Sequence, residues 1–154
     1  MRRFLPIILA IVIAFPVSAS TKDHISDYAG LLSEEEVNEL NSEIMEMEYH
    51  SDCKFYIVTT YDDDGLGAKG YAEEYLFDNV TDSGAVYLID YDAREYYIAT
   101  LGEVREKYTD ELIDDTVEKV WVYVSEKEYA EFFKAVLEDT RAAMGLEIEV
   151  ETEE

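Results

Sequence analysis

Apolar residues recur at three- and four-residue spacing in four stretches of the chain, which predicts four helices. The first covers about 33–49 and begins at a capping box, in which Ser33 is followed three residues later by Glu36. The second covers about 68–78. The last two are marked by two apolar sets: Leu112, Ile113, Val117, Val120, Trp121 and Val124, then Tyr129, Phe132, Phe133, Val136 and Leu137. Gly145 is predicted to end the last helix.

Three stretches rich in β-branched and aromatic residues are predicted to be strands: 53–61, 85–90 and Glu95–Leu101. The gap between the last two is too short for anything but an antiparallel hairpin. The first two are separated by a helix, so we expect them to be parallel and joined by a right-handed crossover. The order α-β-α-β-β-α-α predicts an α/β fold, a three-layer α/β/α sandwich around a small mixed sheet.

The two ends of the chain differ from the middle. Residues 1–19 combine an arginine pair, an uncharged apolar run and small residues, which is typical of a secretory signal peptide cleaved after Ala19. An uncleaved N-terminal anchor is the alternative. Residues 20–144 form the predicted domain, and 145–154 form an acidic tail that we expect to fray. The protein is therefore expected to be exported.

The charge of the chain excludes several partners. The formal net charge is −25, and the predicted leader carries two arginines and no acid, so the rest sums to −27. Such a surface repels nucleic acid and anionic membranes, whereas it suits cations or basic proteins, or serves solubility alone. Cys53 is the only cysteine, so the chain has no internal disulfide and must depend on packing. We expect a monomer with a protein partner.

The stretch "VYLIDYDAR" ends an apolar strand with Asp90 and Asp92, which is how one class of phosphatases presents a nucleophile. Those enzymes have Thr or Val two residues after the second aspartate, whereas Arg94 stands here. Their strand also leads into a helix, whereas this one turns straight back. The pattern therefore predicts a turn, in which an aspartate bonds to nearby backbone.

The loop "YDDDGLG" contains Asp62, Asp63 and Asp64, where the first parallel strand is predicted to end. It is not an EF-hand, since Thr60 and Tyr71 stand where that loop needs its first and last acids. The carboxyl edge of an open α/β sheet is nevertheless the usual place for a ligand. A divalent cation would relieve the repulsion among these acids, and a solvated acidic loop is the alternative.

Five segments, in order, resemble those of TPM domains: "ISDYAGLLSEEE", "FYIVTT", "YAEEYLF", "DSGAVYLIDYDAREYYIATLG" and "YAEFFKAVLED". The resemblance covers about 25–143. It implies an extracytoplasmic α/β/α domain with a mixed sheet of three or four strands. The family also includes thylakoid-lumen, photosystem II repair and receptor-modulator proteins.

The resemblance also implies two functions and a set of metal ligands. Some members act as accessory partners of membrane proteins, and an acid phosphatase activity is attached to the plant branch. Some carry a divalent cation near acids that correspond to Asp27 and Asp82, and Asp62 and Asp64 are expected nearby. The first hypothesis is thus a calcium-tuned binding module, and the alternative is a metal-assisted acid phosphatase acting on phosphomonoesters. No catalytic residue is predicted.

Overall fold

A five-stranded mixed sheet forms the centre of the protein in a computed structural model that describes residues 21–22 and 24–146. In chain order the elements are β1 (Thr21–Lys22), β2 (Ile25–Asp27), α1 (Glu34–Tyr49), β3 (Lys54–Thr60), α2 (Gly67–Asn79), β4 (Gly84–Asp90), β5 (Glu95–Leu101), α3 (Glu103–Lys107), α4 (Asp110–Ser125) and α5 (Tyr129–Met144). The predicted signal peptide and most of the predicted tail lie outside the described residues.

The strands lie in the order β1-β2-β3-β4-β5. Strands β2, β3 and β4 are parallel to one another, and β1 and β5 are antiparallel to their neighbours. In β4 and β5, Asp90 pairs with Glu95 and Gly84 with Leu101, so the hairpin is regular along its length. The predicted parallel pair and the predicted hairpin are confirmed, as is the α/β sandwich around a mixed sheet.

Each face of the sheet packs against its own helices. One face places Phe55, Ile57 and Tyr87 against α1 and α5 in the larger core. The other face is covered by α2, whose small residues Ala68 and Ala72 allow that helix to lie close to the strands. Every residue of β4 is buried, because it is an interior strand with helices on both faces.

Local sequence signals determine where the helices begin and end. The Ser33 hydroxyl accepts a hydrogen bond from the Glu36 amide, and the Glu36 carboxylate accepts one from the Ser33 amide, as the capping box predicts. Gly145 ends α5 in the left-handed conformation, with φ of 68°. Within the described residues, no helix has the length and apolar character needed to cross a membrane.

Three elements were not predicted from the sequence. Strands β1 and β2 precede α1, and the short helix α3 follows β5. The apolar residues that mark α4 in the sequence are not all buried, because Leu112 is 41% and Trp121 is 53% exposed. Only Thr116 and Val120 of that helix are fully buried. The inner face of α4 is therefore narrow, and its flanks are open to solvent.

Candidate functional site

Three of the four predicted metal ligands lie at the carboxyl edge of the sheet. Asp27 is the last residue of β2, and Asp62 and Asp64 follow the end of β3. Asp90, the last residue of β4, lies at the same edge because β3 and β4 are parallel and in register, with Thr60 opposite it. The predicted concentration of acids at this edge is therefore present.

Asp82 is not part of this group. It precedes β4, so it lies at the amino edge of the parallel strands, near Lys54, the first residue of β3. Strand β4 has seven residues, which separates the two edges by about 20 Å at the usual rise per residue. The four acids therefore do not form one site.

Asp27 is a buried carboxylate whose oxygens accept hydrogen bonds from the backbone of the segment between β2 and α1. Its Oδ1 accepts hydrogen bonds from the Leu31 amide at 2.9 Å and from the Thr59 hydroxyl at 2.5 Å. Its Oδ2 accepts one from the Leu32 amide at 3.0 Å. The side chain is 6% exposed. These contacts give Asp27 a structural role, since it joins β2, β3 and the following turn.

The loop after β3 is organised by its own acids. The Asp62 carboxylate accepts a hydrogen bond from the Asp64 amide, and the Asp63 carboxylate accepts one from the Gly65 amide, both at 2.9 Å. The Thr60 hydroxyl donates to the Asp62 carbonyl at 2.7 Å. Asp64 has a φ of 55°, a conformation that aspartate tolerates better than most residues. The loop thus has a defined shape, in which Asp62 and Asp64 are exposed and Asp63 is partly buried.

Asp90 has the turn role that its sequence predicts. Its Oδ1 accepts a hydrogen bond from the Ala93 amide at 3.1 Å and fixes the turn between β4 and β5. Burial, together with the neighbouring Asp63 carboxylate, raises the pKa of Asp90 above its ordinary value of 3.8. The residue is 1% exposed. Asp90 is therefore a buried acid beside a second acid.

The chemistry of these oxygen donors suits a hard cation such as calcium, but their positions do not form a complete site. Among the residues that the structure describes, no three His, Cys, Asp or Glu side chains are grouped so that they could hold a metal ion. Asp27 already uses both oxygens, and Asp82 lies at the other edge. The four predicted ligands therefore do not form a single metal site.

A groove of about 530 Å³ lies beside Asp90, and sequence reasoning did not predict it. It is bounded by the β4–β5 turn, the last part of α4 and the start of α5. Its aromatic walls are Tyr91, Trp121 and Tyr129, and the rings of Tyr91 and Tyr129 meet edge to face with centroids 6.4 Å apart. Tyr61 extends this array by packing on Tyr91 at 5.4 Å.

Two cations without ion-pair partners line the same groove. Most lysines and arginines whose side chains the structure describes lie within 4 Å of a carboxylate. Among the described residues, no such pair is found for Arg94, Arg105 or Lys127. Two of these, Arg94 and Lys127, line the groove. Both have positive φ, 56° and 61°, and both are exposed residues in turns.

The groove could have been found only in part from the sequence. Trp121 is the sole tryptophan of the chain, and its spacing grouped it with the apolar residues that mark α4. Its exposure follows from the narrow contact of α4 with the rest of the domain, which is a tertiary property. The turn with Arg94 was identified, but its closeness to Lys127 depends on how α4 and α5 are joined.

Fold and motifs together define an α/β/α domain around a mixed sheet, and comparison with a known family agrees. The TPM domain family matches residues 25–143. The chain therefore belongs to the TPM domain family. No curated protein matches the chain.

Several solved structures have the same fold at low sequence identity. The N-terminal domain of the cg2496 protein from Corynebacterium glutamicum is similar with a TM-score of 0.66 and 17% identity, covering 91% of this chain and 93% of that one. The BA42 protein from Bizionia argentinensis gives 0.59 and 13%, covering 75% and 82%. An N-terminal domain from P. gingivalis gives 0.58 and 16%, covering 79% and 80%. These likenesses concern the fold alone.

Proposed function

We propose that this TPM domain is an exported binding module, an accessory partner of an envelope or membrane protein. The observation that carries the proposal is the groove beside α4, where exposed aromatic rings and unpaired cations surround one cavity. Trp121 is 53% and Tyr91 is 39% exposed, although both are large and partly apolar. Tryptophan, tyrosine and arginine are the residues that most often dominate the energy of protein–protein binding.

The charge of the chain supports a protein partner with a basic surface. A net charge of −25 attracts such a partner and speeds its association, and it repels nucleic acid and anionic lipid. The same charge opposes close approach of a second copy, which supports a monomer. Export is supported by the leader-like sequence of residues 1–19.

Site-specific photo-crosslinking in cells that make the protein tests this function. A photoreactive amino acid is placed at position 121 in the groove or, as a control, at position 77. Phe77 is 68% exposed on α2, on the opposite side of the sheet. We expect a discrete cross-linked protein from position 121 and none from position 77. Equal cross-linking from both positions, or none from either, would contradict a partner at the groove.

Calcium dependence of this module is a separate proposal. It is supported by the crowding of carboxylates at the carboxyl edge, where Asp63 lies beside Asp90 and raises its pKa. A cation bound there would stabilise the native state by mass action. The test is a thermal melt of residues 20–154 in calcium, in magnesium and in sodium chloride at matched ionic strength. A calcium-specific rise that is lost in Asp63→Asn is expected, whereas equal melts would refute calcium binding.

A metal-assisted acid phosphatase is the second candidate function. The observation that favours it is that Arg94 and Lys127, two cations without a carboxylate partner among the described residues, line the groove. Asp90 and Asp92 line it as well. Guanidinium and ammonium groups bind phosphate oxygens well. Turnover of p-nitrophenyl phosphate by the purified domain, with loss in Arg94→Ala and retention in the solvent-exposed Arg105→Ala, would support this function. Absence of turnover in calcium and in magnesium would remove it.

A further inference from the structure

The outer edge of β5 has backbone groups that point away from the sheet. The Tyr91 amide donates to the Thr60 carbonyl of β3, so odd-numbered residues of β4 bond to β3 and even-numbered ones bond to β5. Through the register of the hairpin, odd-numbered residues of β5 bond to β4. The amides and carbonyls of Tyr96, Ile98 and Thr100 therefore point outward.

These outward groups have no hydrogen-bond partner among the described residues, since no backbone bond from any element other than β4 reaches β5. Natural proteins usually protect such an edge with lysine, proline, a bulge or a short strand. Strand β5 has seven residues, reads "EYYIATL", and has a glutamate at its first position as its sole charge. A strand of this kind is a ready template for another extended chain.

A groove runs beside this edge between β5 and α4. A cavity of about 300 Å³ is lined by Tyr96, Tyr97 and Ile98 of β5 and by the first half of α4. The 530 Å³ groove lies further along, beside Glu95 of β5 and the last part of α4. The rings of Tyr96, which lines the smaller cavity, and Trp121, which lines the larger one, lie 6.2 Å apart. We call these two neighbouring cavities together the edge groove.

The charge of the edge groove selects among occupants. Acidic side chains outnumber basic ones in its lining: Asp90, Asp92, Glu95, Asp110 and Asp114 against Arg94 and Lys127. The exposed ring of Trp121 can bind a lysine or arginine through a cation–π contact. A second copy of this chain is repelled by its net charge of −25, and the last eight residues, which include five glutamates, are repelled as well.

We infer that the edge groove binds an extended, basic segment of another protein, which adds to β5 as a further strand. Its backbone pairs with Tyr96, Ile98 and Thr100, and its alternate side chains enter the groove beside α4. Its lysines or arginines meet Trp121 and the groove carboxylates. This inference rests on the proposed binding function and names the chemistry of the partner.

Amide hydrogen exchange with two synthetic peptides tests the inference. The probe is a peptide of alternating lysine and valine, and its control alternates glutamate and valine. At about 100 times the dissociation constant, exchange at Tyr96, Ile98 and Thr100 should slow by about 100-fold with the lysine peptide. Tyr97 and Ala99, already bonded to β4, should change little. No slowing, or equal slowing with the glutamate peptide, would overturn the inference.

Variants with matched controls separate binding from folding. Thr100→Pro removes one outward amide and leaves the pairing with β4, whereas Thr100→Val keeps the amide. We expect the proline variant to bind the lysine peptide with an affinity at least about tenfold lower, and the valine variant to bind it with unchanged affinity. Should Thr100→Pro not fold, Trp121→Ala and its exposed neighbour Val122→Ala make the same comparison. Equal binding by either pair would overturn the inference.

The alternative occupants have distinct signatures without peptide. Protection of the outward amides that rises with protein concentration would assign the edge to a second copy. Protection that is lost when residues 147–154 are removed would assign it to the chain's own end. Either result overturns the inference. If position 121 cross-links to a partner but the β5 amides stay unprotected, the proposed binding function stands and the inference about β5 is wrong. If the β5 amides are protected but no cross-link forms, the inference about β5 stands and the proposed binding function is wrong.

Discussion

Replacement of Asp27 distinguishes a structural carboxylate from a metal ligand. In the structure its two oxygens accept hydrogen bonds from the Leu31 and Leu32 amides and the Thr59 hydroxyl. The change Asp27→Asn keeps one acceptor oxygen and places an NH2 group against a backbone amide. Asp82→Asn is the matched control, because Asp82 is exposed at the other edge of the sheet and was predicted to share the same metal.

The cost follows from the bonds that each change removes. A hydrogen bond to a charged group contributes about 1.5–3 kcal/mol, so Asp27→Asn should lower the free energy of unfolding by about 2 kcal/mol. Asp27→Ala removes all three hydrogen bonds and should cost about 4 kcal/mol. For a domain of this size, about 2 kcal/mol corresponds to a fall in Tm of about 6–8 °C. Asp82→Asn should stay within about 0.5 kcal/mol.

The assay is a thermal melt in EDTA, followed by chemical denaturation to obtain the free energy of unfolding. EDTA removes any contribution of a bound cation, so the difference between the two variants reports the hydrogen bonds alone. An unliganded metal site would give the opposite result, because removal of one acid relieves repulsion and raises Tm. Equal melts of Asp27→Asn and Asp82→Asn in EDTA would therefore refute the structural role of Asp27.

Three further changes test other parts of the account. The pKa of Asp90 is raised, so the native state binds more protons than the unfolded state, and this group's contribution to stability falls as pH rises through the pKa. Asp90→Asn should therefore raise Tm at pH 7. Thermal melts at a pH below 3.8, the ordinary pKa of the group, should show no such increase. Tyr87→Phe removes a buried 2.7 Å hydrogen bond to Thr140 and should cost about 1 kcal/mol in denaturation. Gly145→Ala strains a left-handed position and should cost about 1 kcal/mol in the same assay.

Local signals made most of the large elements predictable. The capping box at Ser33 begins α1 because its bonds form within a single turn. Strand β2 was missed because three residues carry no recognisable alternation, and Ile25 becomes part of a strand only by pairing with β3 opposite Ile57. The five-residue helix α3 gives too few turns for a periodic pattern.

The candidate site was less predictable than the fold. The position of Asp82 could have been derived, since a residue that precedes a parallel strand lies at the amino edge. The hydrogen bonds of Asp27 could not, because they depend on the turn at Leu31 and on Thr59 of another strand. The edge groove depends on the gap between β5 and α4, and the spacing that grouped Trp121 with apolar residues gave no sign that it is 53% exposed.

Fluorescence of Trp121 reports directly on whether the groove beside α4 is a binding surface. It is the only tryptophan of the chain and lies in that groove, so all tryptophan emission reports on this one place. Titration with the lysine–valine peptide should give a saturable shift to shorter wavelength as the ring loses water. The affinity should fall with added salt. Unchanged emission throughout the titration, or the same shift with the glutamate–valine peptide, would contradict a basic partner at this groove.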